Sequence, residues 1–130
     1  MSDTIRDQLL DAIPPHVPFD GWSDTAFRAA IADTGIQKAV AETACPRGAM
    51  DLAIAYHRRG DAAMVAAMDA TDMGEMRFRD KVATALKLRI EALDDREAVR
   101  RASALFALPQ NSAEGAKLIW ETADHVWSTL

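Results

Sequence analysis

The spacing of apolar residues constrains this fold most, because it follows the helical period. In the second half of the chain, Phe78, Val82, Leu86, Ile90 and Leu93 recur every three or four positions, which places them on one face of an α-helix. No segment alternates apolar and polar residues as a half-buried strand would. Alanine is abundant, whereas valine, tyrosine and phenylalanine are sparse, and this also favours helix over sheet. The sequence therefore predicts an all-α protein.

Proline, glycine and capping residues divide the helical pattern into about seven segments. Pro14 and Pro15 follow the first segment, Ser23 caps the second, and Gly35 stands where the second should end, as these residue types do at helix ends. Gly60 lies inside a long fourth segment, where we expect a kink or no break, since glycine costs a helix only about 1 kcal/mol. The predicted helices are residues 3–13, 24–34, 37–45, 46–70, 75–93, 96–107 and a last helix that Ser112 caps, with loops at 14–22 and 108–111.

Composition and charge limit the classes of function. The chain has 130 residues, enough for one domain with a core, with a formal net charge of −5 and a pI near 5.1. A nucleic-acid-binding domain usually has a basic face, which this composition does not indicate. The single cysteine, Cys45, excludes an internal disulfide and fits a reducing compartment. Without a signal-peptide pattern or an apolar run of about 18 residues, the sequence predicts a cytoplasmic protein, most simply a bacterial one.

Residues 25–46 have the layout of a DNA-reading helix-turn-helix, with Gly35 at the turn. The segment that would enter the major groove, residues 37–44, nevertheless contains Glu42 at its centre, and the charges of residues 23–48 sum to zero. Duplex affinity depends on neutralising several phosphates, and base readout needs exposed Arg, Asn, Gln or Lys. A packed three-helix unit without DNA binding and a working DNA reader are both open interpretations, and the charges favour the first.

Three stretches of the chain resemble motifs of one known family. Residues 17–23 (VPFDGWS) match a V-P-x-x-G-W-[ST] turn that follows an apolar helix, and residues 78–82 (FRDKV) match an R-D-x-V helix. Residues 105–111 (LFALPQN) resemble an L-x-L-P-x-N turn, with one residue more between Leu105 and Leu108 than the pattern has, and the aspartate and tryptophan of the family's next helix correspond to Asp124 and Trp127. The chain thereby resembles the N-terminal part of the ubiquinone (coenzyme Q) biosynthesis accessory family, which includes the ninth member of the mitochondrial coenzyme Q series.

The resemblance implies a TetR-like fold and a role without catalysis. Residues 1–46 would form a helix-turn-helix unit that has abandoned DNA, and residues 47–130 a helical lipid-binding bundle. The bundle would bind a polyprenyl quinone precursor, or another lipid, and present it to a di-iron hydroxylase late in ubiquinone synthesis. Further helices of the family supply a dimer interface and a membrane-associating segment. Since the apolar pattern runs to Leu130 without a stop signal, we expect the C-terminal part of the bundle to be missing, and we expect homodimerisation or self-association and peripheral contact with the inner membrane.

Large apolar side chains of the later helices are the candidate lipid-binding residues. Composition alone favours an ordinary core for them, whereas the resemblance favours a cavity, since thioethers and aromatic rings accept varied apolar guests. The candidates are Met50, Ile54, Leu86, Ile90, Leu105, Leu108, Ile119, Trp120 and Trp127.

Motifs for catalysis or metal binding are absent from the sequence. His16, His57 and His125 lie far apart, and Cys45 has no partner at a zinc spacing. No phosphate-binding loop or nucleophile-elbow motif occurs. We therefore expect no enzyme, no metal and no cofactor. The alternative function is a TetR-type transcriptional regulator with a small-molecule pocket, which the surface charge of the third helix would distinguish from a lipid-binding protein.

Overall fold

Helices form nearly all of the regular structure in residues 2–130, the part of the chain that the computed structural model describes, and no strand occurs among them. The all-α class is confirmed. The predicted number of about seven helices is also confirmed, since there are seven longer α-helices in this part of the chain and α2 is a single additional turn. The α-helices are α1 (Ser2–Ala12), α2 (Val17–Asp20), α3 (Asp24–Thr34), α4 (Lys38–Ala44), α5 (Ala49–Ala70), α6 (Phe78–Glu91), α7 (Arg96–Phe106) and α8 (Ser112–Thr129), with 3₁₀ turns at Pro14–His16 and Pro109–Asn111.

The predicted helix-turn-helix of residues 25–46 corresponds to α3 and α4. The Ser23 hydroxyl accepts a hydrogen bond from the Ala26 amide at 3.2 Å and caps α3, as predicted. Gly35 ends α3 in the left-handed conformation with a φ of 69°, which is also as predicted. Helix α1 packs against both α3 and α4. The three helices therefore form one packed unit.

Several predicted boundaries are wrong. Residues 14–22 are not a loop, because Pro14 opens a 3₁₀ turn and Pro18 lies in the first turn of α2. A backbone N–H in the first turn of a helix has no partner within the helix, so a proline is tolerated there. Ser112 is the first residue of α8 rather than its cap. Helix α5 begins only at Ala49, since Gly48 precedes it with a φ of 59°, a conformation that does not belong to a helix.

Gly60 does not interrupt α5, which is continuous over 22 residues. The second half of the chain departs from prediction at α6 instead. This helix begins at Phe78 and ends at Glu91, so it is shorter at both ends than the predicted 75–93. Residues 71–77 form turns, including a backbone hydrogen bond from the Met76 amide to the Met73 carbonyl at 3.1 Å.

One large core occupies the N-terminal part of the molecule. It joins the three-helix unit to the first half of α5 and to one face of α7, so it continues across the predicted domain boundary at residue 46. That boundary stays a prediction. The fully buried side chains of this core include Leu9, Leu10, Ile13, Val17, Leu52 and Ala98.

Trp22 ties α7 to this core. Its ring is 8% exposed, its Nε1–H donates to the Ala98 carbonyl at 3.0 Å, and its centroid lies 5.3 Å from that of Tyr56. The V-P-x-x-G-W turn therefore positions a buried aromatic ring between α5 and α7.

The second half of α5 carries a much smaller core. Met64 and Met68 of α5, Ala85 of α6 and Val126 of α8 are its buried members. Helices α6 and α8 both pack on α5. Because α5 contributes to both cores, it holds the two halves of the molecule together.

A tight corner sets the direction of α8. The Asn111 side-chain amide donates to the Leu105 carbonyl at 2.9 Å, at the end of α7. Gly115 approaches the same end so closely that an added Cβ would lie 2.6 Å from the Phe106 carbonyl oxygen. The L-x-L-P-x-N motif thus closes α7 and starts α8, which runs back along α5.

Candidate functional site

An open apolar groove of about 820 Å³ runs between α6 on one side and α7 and α8 on the other. Helix α6 packs on α5, and its outward face is left without a helix to cover it. Apolar side chains from the three helices form the walls, and α5 contributes only His57. The groove is lined by His57, Phe78, Val82, Leu86, Arg89, Ile90, Leu93, Arg96, Val99, Arg100, Ser103, Ile119, Thr122, Ala123, Val126, Trp127 and Leu130.

Large apolar side chains stay exposed along both walls of this groove. On α6, Leu86 is 51% and Ile90 76% exposed, and on α8, Ile119 is 69% and Trp127 71% exposed. Phe78 and Trp127 meet edge to face across one end, with ring centroids 5.8 Å apart. Such a concentration of exposed apolar surface in a concave site is typical of a binding site for an apolar molecule.

A buried carboxylate connects the three helices behind the groove. Asp61 of α5 is 2% exposed and accepts a hydrogen bond from Arg89 Nε of α6 at 2.8 Å. It also lies 2.8 and 3.0 Å from the Thr122 hydroxyl of α8, which can donate to it. A buried charge needs such partners because removing it from water is costly. Asp61 therefore joins α5, α6 and α8 where their apolar contacts are few.

His57 completes this polar network on the groove side. Its Nε2 lies 2.9 Å from the Thr122 hydroxyl oxygen, and its Nδ1 lies 3.3 Å from Arg89 Nη2, which also donates to the His57 carbonyl at 3.0 Å. Since arginine can only donate, Nδ1 must accept, and the proton of the neutral ring is on Nε2. Burial, together with the positive charge of Arg89, lowers the pKa of His57 below its ordinary value of 6.5, against the opposing effect of Asp61. The neutral ring is thus the form that the network accommodates.

Gly60 gives Arg89 its place. A Cβ at this position would lie 2.5 Å from Arg89 Nη1 and 2.7 Å from its Cζ. The guanidinium therefore lies flat against the backbone of α5, one residue before its partner Asp61. A glycine in the middle of a long helix, which the sequence pattern marked only as a local weakness, is required for this close approach.

The structure brings four of the nine candidate lipid-binding residues together in the groove: Leu86, Ile90, Ile119 and Trp127. The other five lie elsewhere. Ile54 is buried, Leu105 is half-buried against the N-terminal core, and Leu108 and Trp120 are exposed outside the groove. Met50 lines a separate depression of about 510 Å³ at the α4–α5 corner.

The sequence pattern did not reveal most of the other lining residues as site residues. Phe78, Val82 and Val126 stand in apolar helical stripes, and a stripe alone does not tell a covered face from an uncovered one. Arg89, Arg96 and Thr122 are polar and gave no signal at all. The adjacent residues Gly60 and Asp61 interrupt a long apolar helical pattern. They were the one sign in the sequence that this helix buries a polar side chain.

The exposed face of α4 carries few charges. Its Lys38 Nζ lies 3.7 Å from the Glu42 carboxylate, so these two side chains of opposite charge are neighbours on consecutive turns. Ala39, Val40 and Thr43 are the other exposed residues of the helix. A face of this kind offers little positive charge to a phosphate backbone.

The buried thiol of Cys45 lies beneath the second depression. Burial is the main cause that raises the pKa of the thiol to about 11, and the negative charge of Asp51 acts in the same direction. The side chain is therefore protonated near neutral pH and behaves as a small apolar residue of the core. Across residues 2–130, no group of three or more His, Cys, Asp or Glu side chains is arranged to hold a metal ion.

The fold and the groove define a class of protein: an all-helical protein with an open apolar groove. A buried ion pair between Asp61 and Arg89 joins α5 to α6 behind this groove. No protein-family model, curated protein or solved structure matches the chain. Of the helices in the described part of the chain, none has the length and apolar character needed to cross a bilayer.

Proposed function

We propose that this protein binds a lipid in the groove and acts without catalysing a reaction. The observation that carries the proposal is the row of exposed apolar side chains, Leu86, Ile90, Ile119 and Trp127, that line one concave surface. The volume of about 820 Å³ lies within the range of about 300–1,000 Å³ that is usual for ligand pockets.

The energy of binding would come from apolar area removed from water. Each Å² of such area stabilises a complex by about 25 cal/mol, and an isoprenoid tail offers apolar surface along its whole length. The exposed rings and branched side chains of α6 and α8 lose their own contact with water in the same step. The ion pair of Asp61 with Arg89 lies behind these walls and keeps α6 attached to α5 while its outer face stays free.

The biological role that we propose is the one that the family resemblance implies. Residues 17–23, 78–82 and 105–111 resemble motifs of the ubiquinone biosynthesis accessory proteins. In that role the groove holds the tail of a polyprenyl quinone precursor and presents its ring to a di-iron hydroxylase. Homodimerisation and peripheral contact with a membrane belong to the same proposal.

Two tryptophans of α8 provide a matched test of the lipid site. Trp127 lines the groove and is 71% exposed, whereas Trp120 is 75% exposed and lies outside it. The experiment is titration of each variant, Trp127→Ser and Trp120→Ser, with a short-chain polyprenyl quinone, together with mass spectrometry of organic extracts from the purified proteins. We expect Trp127→Ser to weaken binding about tenfold, a loss of about 1.4 kcal/mol, and Trp120→Ser to leave it unchanged.

Equal effects of the two substitutions would show that the tryptophans contribute only general hydrophobicity, and would contradict a site in the groove. The absence of any saturable binding by the parent protein, with no lipid in its extract, would overturn the proposed function altogether. Circular dichroism of the variants verifies that they are folded.

A further inference from the structure

The charged residues that line the groove are all basic. They are Arg89, Arg96 and Arg100, with His57 as the only other titratable group, and no Asp or Glu is among the described lining residues. This is unexpected in a chain with a net charge of −5. The groove therefore differs in charge from the protein as a whole.

The basic residues lie toward one end of the groove. Phe78 and Trp127, which meet at the opposite end, belong to the start of α6 and the end of α8. Arg89 belongs to the last turn of α6, and Arg96 and Arg100 follow in the first two turns of α7. The groove is thus apolar at the Phe78 end and basic at the Arg96 end.

The three arginines differ in how far their charge is already compensated. Arg89 is paired with the buried Asp61 at 2.8 Å, and Arg100 binds the Glu97 carboxylate through Nε and Nη2 at 3.0 and 2.5 Å. Arg96 is exposed and forms no ion pair with any described residue. Arg96 is therefore the one lining arginine without an ion pair among the described residues, although Asp95 and Glu97 flank it in sequence, and the Ser103 hydroxyl belongs to the same lining.

We propose that the occupant of the groove is a single-chain amphiphile with an ionised carboxylate as its head group. The carboxylate binds at Arg96, and the apolar chain lies along α6 and α8 toward Phe78 and Trp127. One free guanidinium matches one negative charge, and its planar fork fits a carboxylate with two parallel hydrogen bonds. The inference rests on the lipid site of the proposed function, but it assigns a carboxylate lipid to that site instead of the polyprenyl quinone precursor, whose quinone ring is uncharged.

The length of the groove agrees with one acyl-type chain. Phe78 and Ile90 are 12 residues apart on α6, which corresponds to about 18 Å along the helix axis at about 1.5 Å per residue. One lipid chain spans half of a bilayer core of about 30 Å, that is, about 15 Å. A single chain therefore covers most of the distance between Ile90 and Phe78.

The test compares three probes that share a 16-carbon saturated chain and differ in head group: the carboxylate, the neutral alcohol and the trimethylammonium. Binding is measured at pH 8 and low micromolar concentration, below micelle formation, by displacement of a fluorescent apolar probe. We expect the carboxylate to bind about tenfold more tightly than the alcohol and the trimethylammonium to bind most weakly.

A pair of arginine variants locates the head group. Arg96→Gln should lower the affinity for the carboxylate about tenfold, to that of the alcohol, and leave the affinity for the alcohol unchanged. Arg79→Gln is the matched control, because Arg79 is an exposed arginine of α6 that does not line the groove. It should change neither affinity.

The outcomes separate this inference from the proposed function. If the carboxylate and the alcohol bind equally well, the head-group inference is wrong and the apolar groove stands. If Arg96→Gln and Arg79→Gln weaken the binding of the carboxylate probe equally, the attraction is a general effect of charge. The assignment of the head group to Arg96 is then overturned. If none of the three probes displaces the fluorescent probe, the inference fails, and the titration with the polyprenyl quinone decides separately whether the proposed function stands.

Discussion

The N-terminal core and the groove region use the same kind of amphipathic helix with opposite results. Helix α1 buries Leu9 and Leu10 completely, and α5 adds Leu52 and Ala53 to the same core. Helix α6 carries an apolar stripe of comparable length, yet Ala85 is its only buried residue. The difference lies in the neighbours: α1 is covered by α3, α4 and α5, whereas the outward stripe of α6 faces the groove.

The comparison shows how each region is held together. In the N-terminal unit, apolar burial is extensive and provides most of the stability. Behind the groove only a small cluster around Met64 and Met68 is buried, and a polar network centred on Asp61 supplements it. The first half of α5 thus belongs to the large N-terminal core, and its second half supports α6 and α8, which carry the open apolar surface.

Removal of one tryptophan from each region tests this difference most directly. Trp22→Ala should lower the free energy of unfolding by about 3–5 kcal/mol, because it deletes a buried ring and its hydrogen bond to the Ala98 carbonyl. Trp127→Ala should change it by no more than about 0.5 kcal/mol, since the ring is 71% exposed. Urea denaturation followed by circular dichroism measures both. Similar losses for the two variants would mean that the groove region is as tightly packed as the core.

A somewhat smaller effect is expected from the carboxylate behind the groove. Asp61→Ala should lower the free energy of unfolding by about 2–3 kcal/mol, because Arg89 and Thr122 lose their shared partner. Asp69→Ala, at an exposed position of the same helix, is the control and should be nearly neutral. Hydrogen exchange of α6 should accelerate in Asp61→Ala alone, and unchanged exchange would show that Asp61 does not hold α6 on α5.

The pH dependence of stability should follow His57. Burial lowers the pKa of this histidine in the folded protein below its ordinary 6.5, so the unfolded chain binds the proton more readily. The free energy of unfolding should therefore fall as the pH decreases through 6.5, and it should be unaffected by His57 above that value. The measurement is the difference between the parent protein and His57→Gln in urea titrations from pH 8 to 5.5. A constant difference over this range would contradict the neutral state of His57.

The smallest effect is expected at the helix-turn-helix surface, where we predict no specific binding to duplex DNA. Helix α4 presents Glu42 beside Lys38, and its exposed face is otherwise uncharged. Titration with a library of genomic fragments at about 50 mM salt favours any electrostatic binding. Selection of one sequence at submicromolar affinity would support the transcriptional regulator instead, and Glu42→Lys should produce weak binding without sequence preference.

Much of the fold was predictable, because caps and periodicity are local properties. Ser23 and Gly35 defined α3 correctly, and the 3.6-residue period indicated all seven longer helices. The proline-rich segment before Gly21 was misread as a loop, since a proline permits the first turn of a helix as readily as it ends one.

The groove was only partly predictable, because exposure depends on tertiary neighbours. Leu86 and Trp127 were candidate site residues on grounds of size and type, but so were Ile54 and Leu105, which pack inside the protein. Nothing local distinguishes these two pairs. The basic end of the groove depends on the juxtaposition of α6 with α7, which no sequence spacing expresses.

Gly60 has a consequence for protein engineering. Replacing a glycine in the middle of a helix with alanine is a common stabilising substitution, worth about 1 kcal/mol in helix propensity. Here the added methyl group would lie 2.5 Å from Arg89 Nη1 and would force the guanidinium away from Asp61. A substitution chosen to improve the helix would thus disturb the buried ion pair that joins α5 to α6, so a stabilisation scheme should keep this glycine fixed.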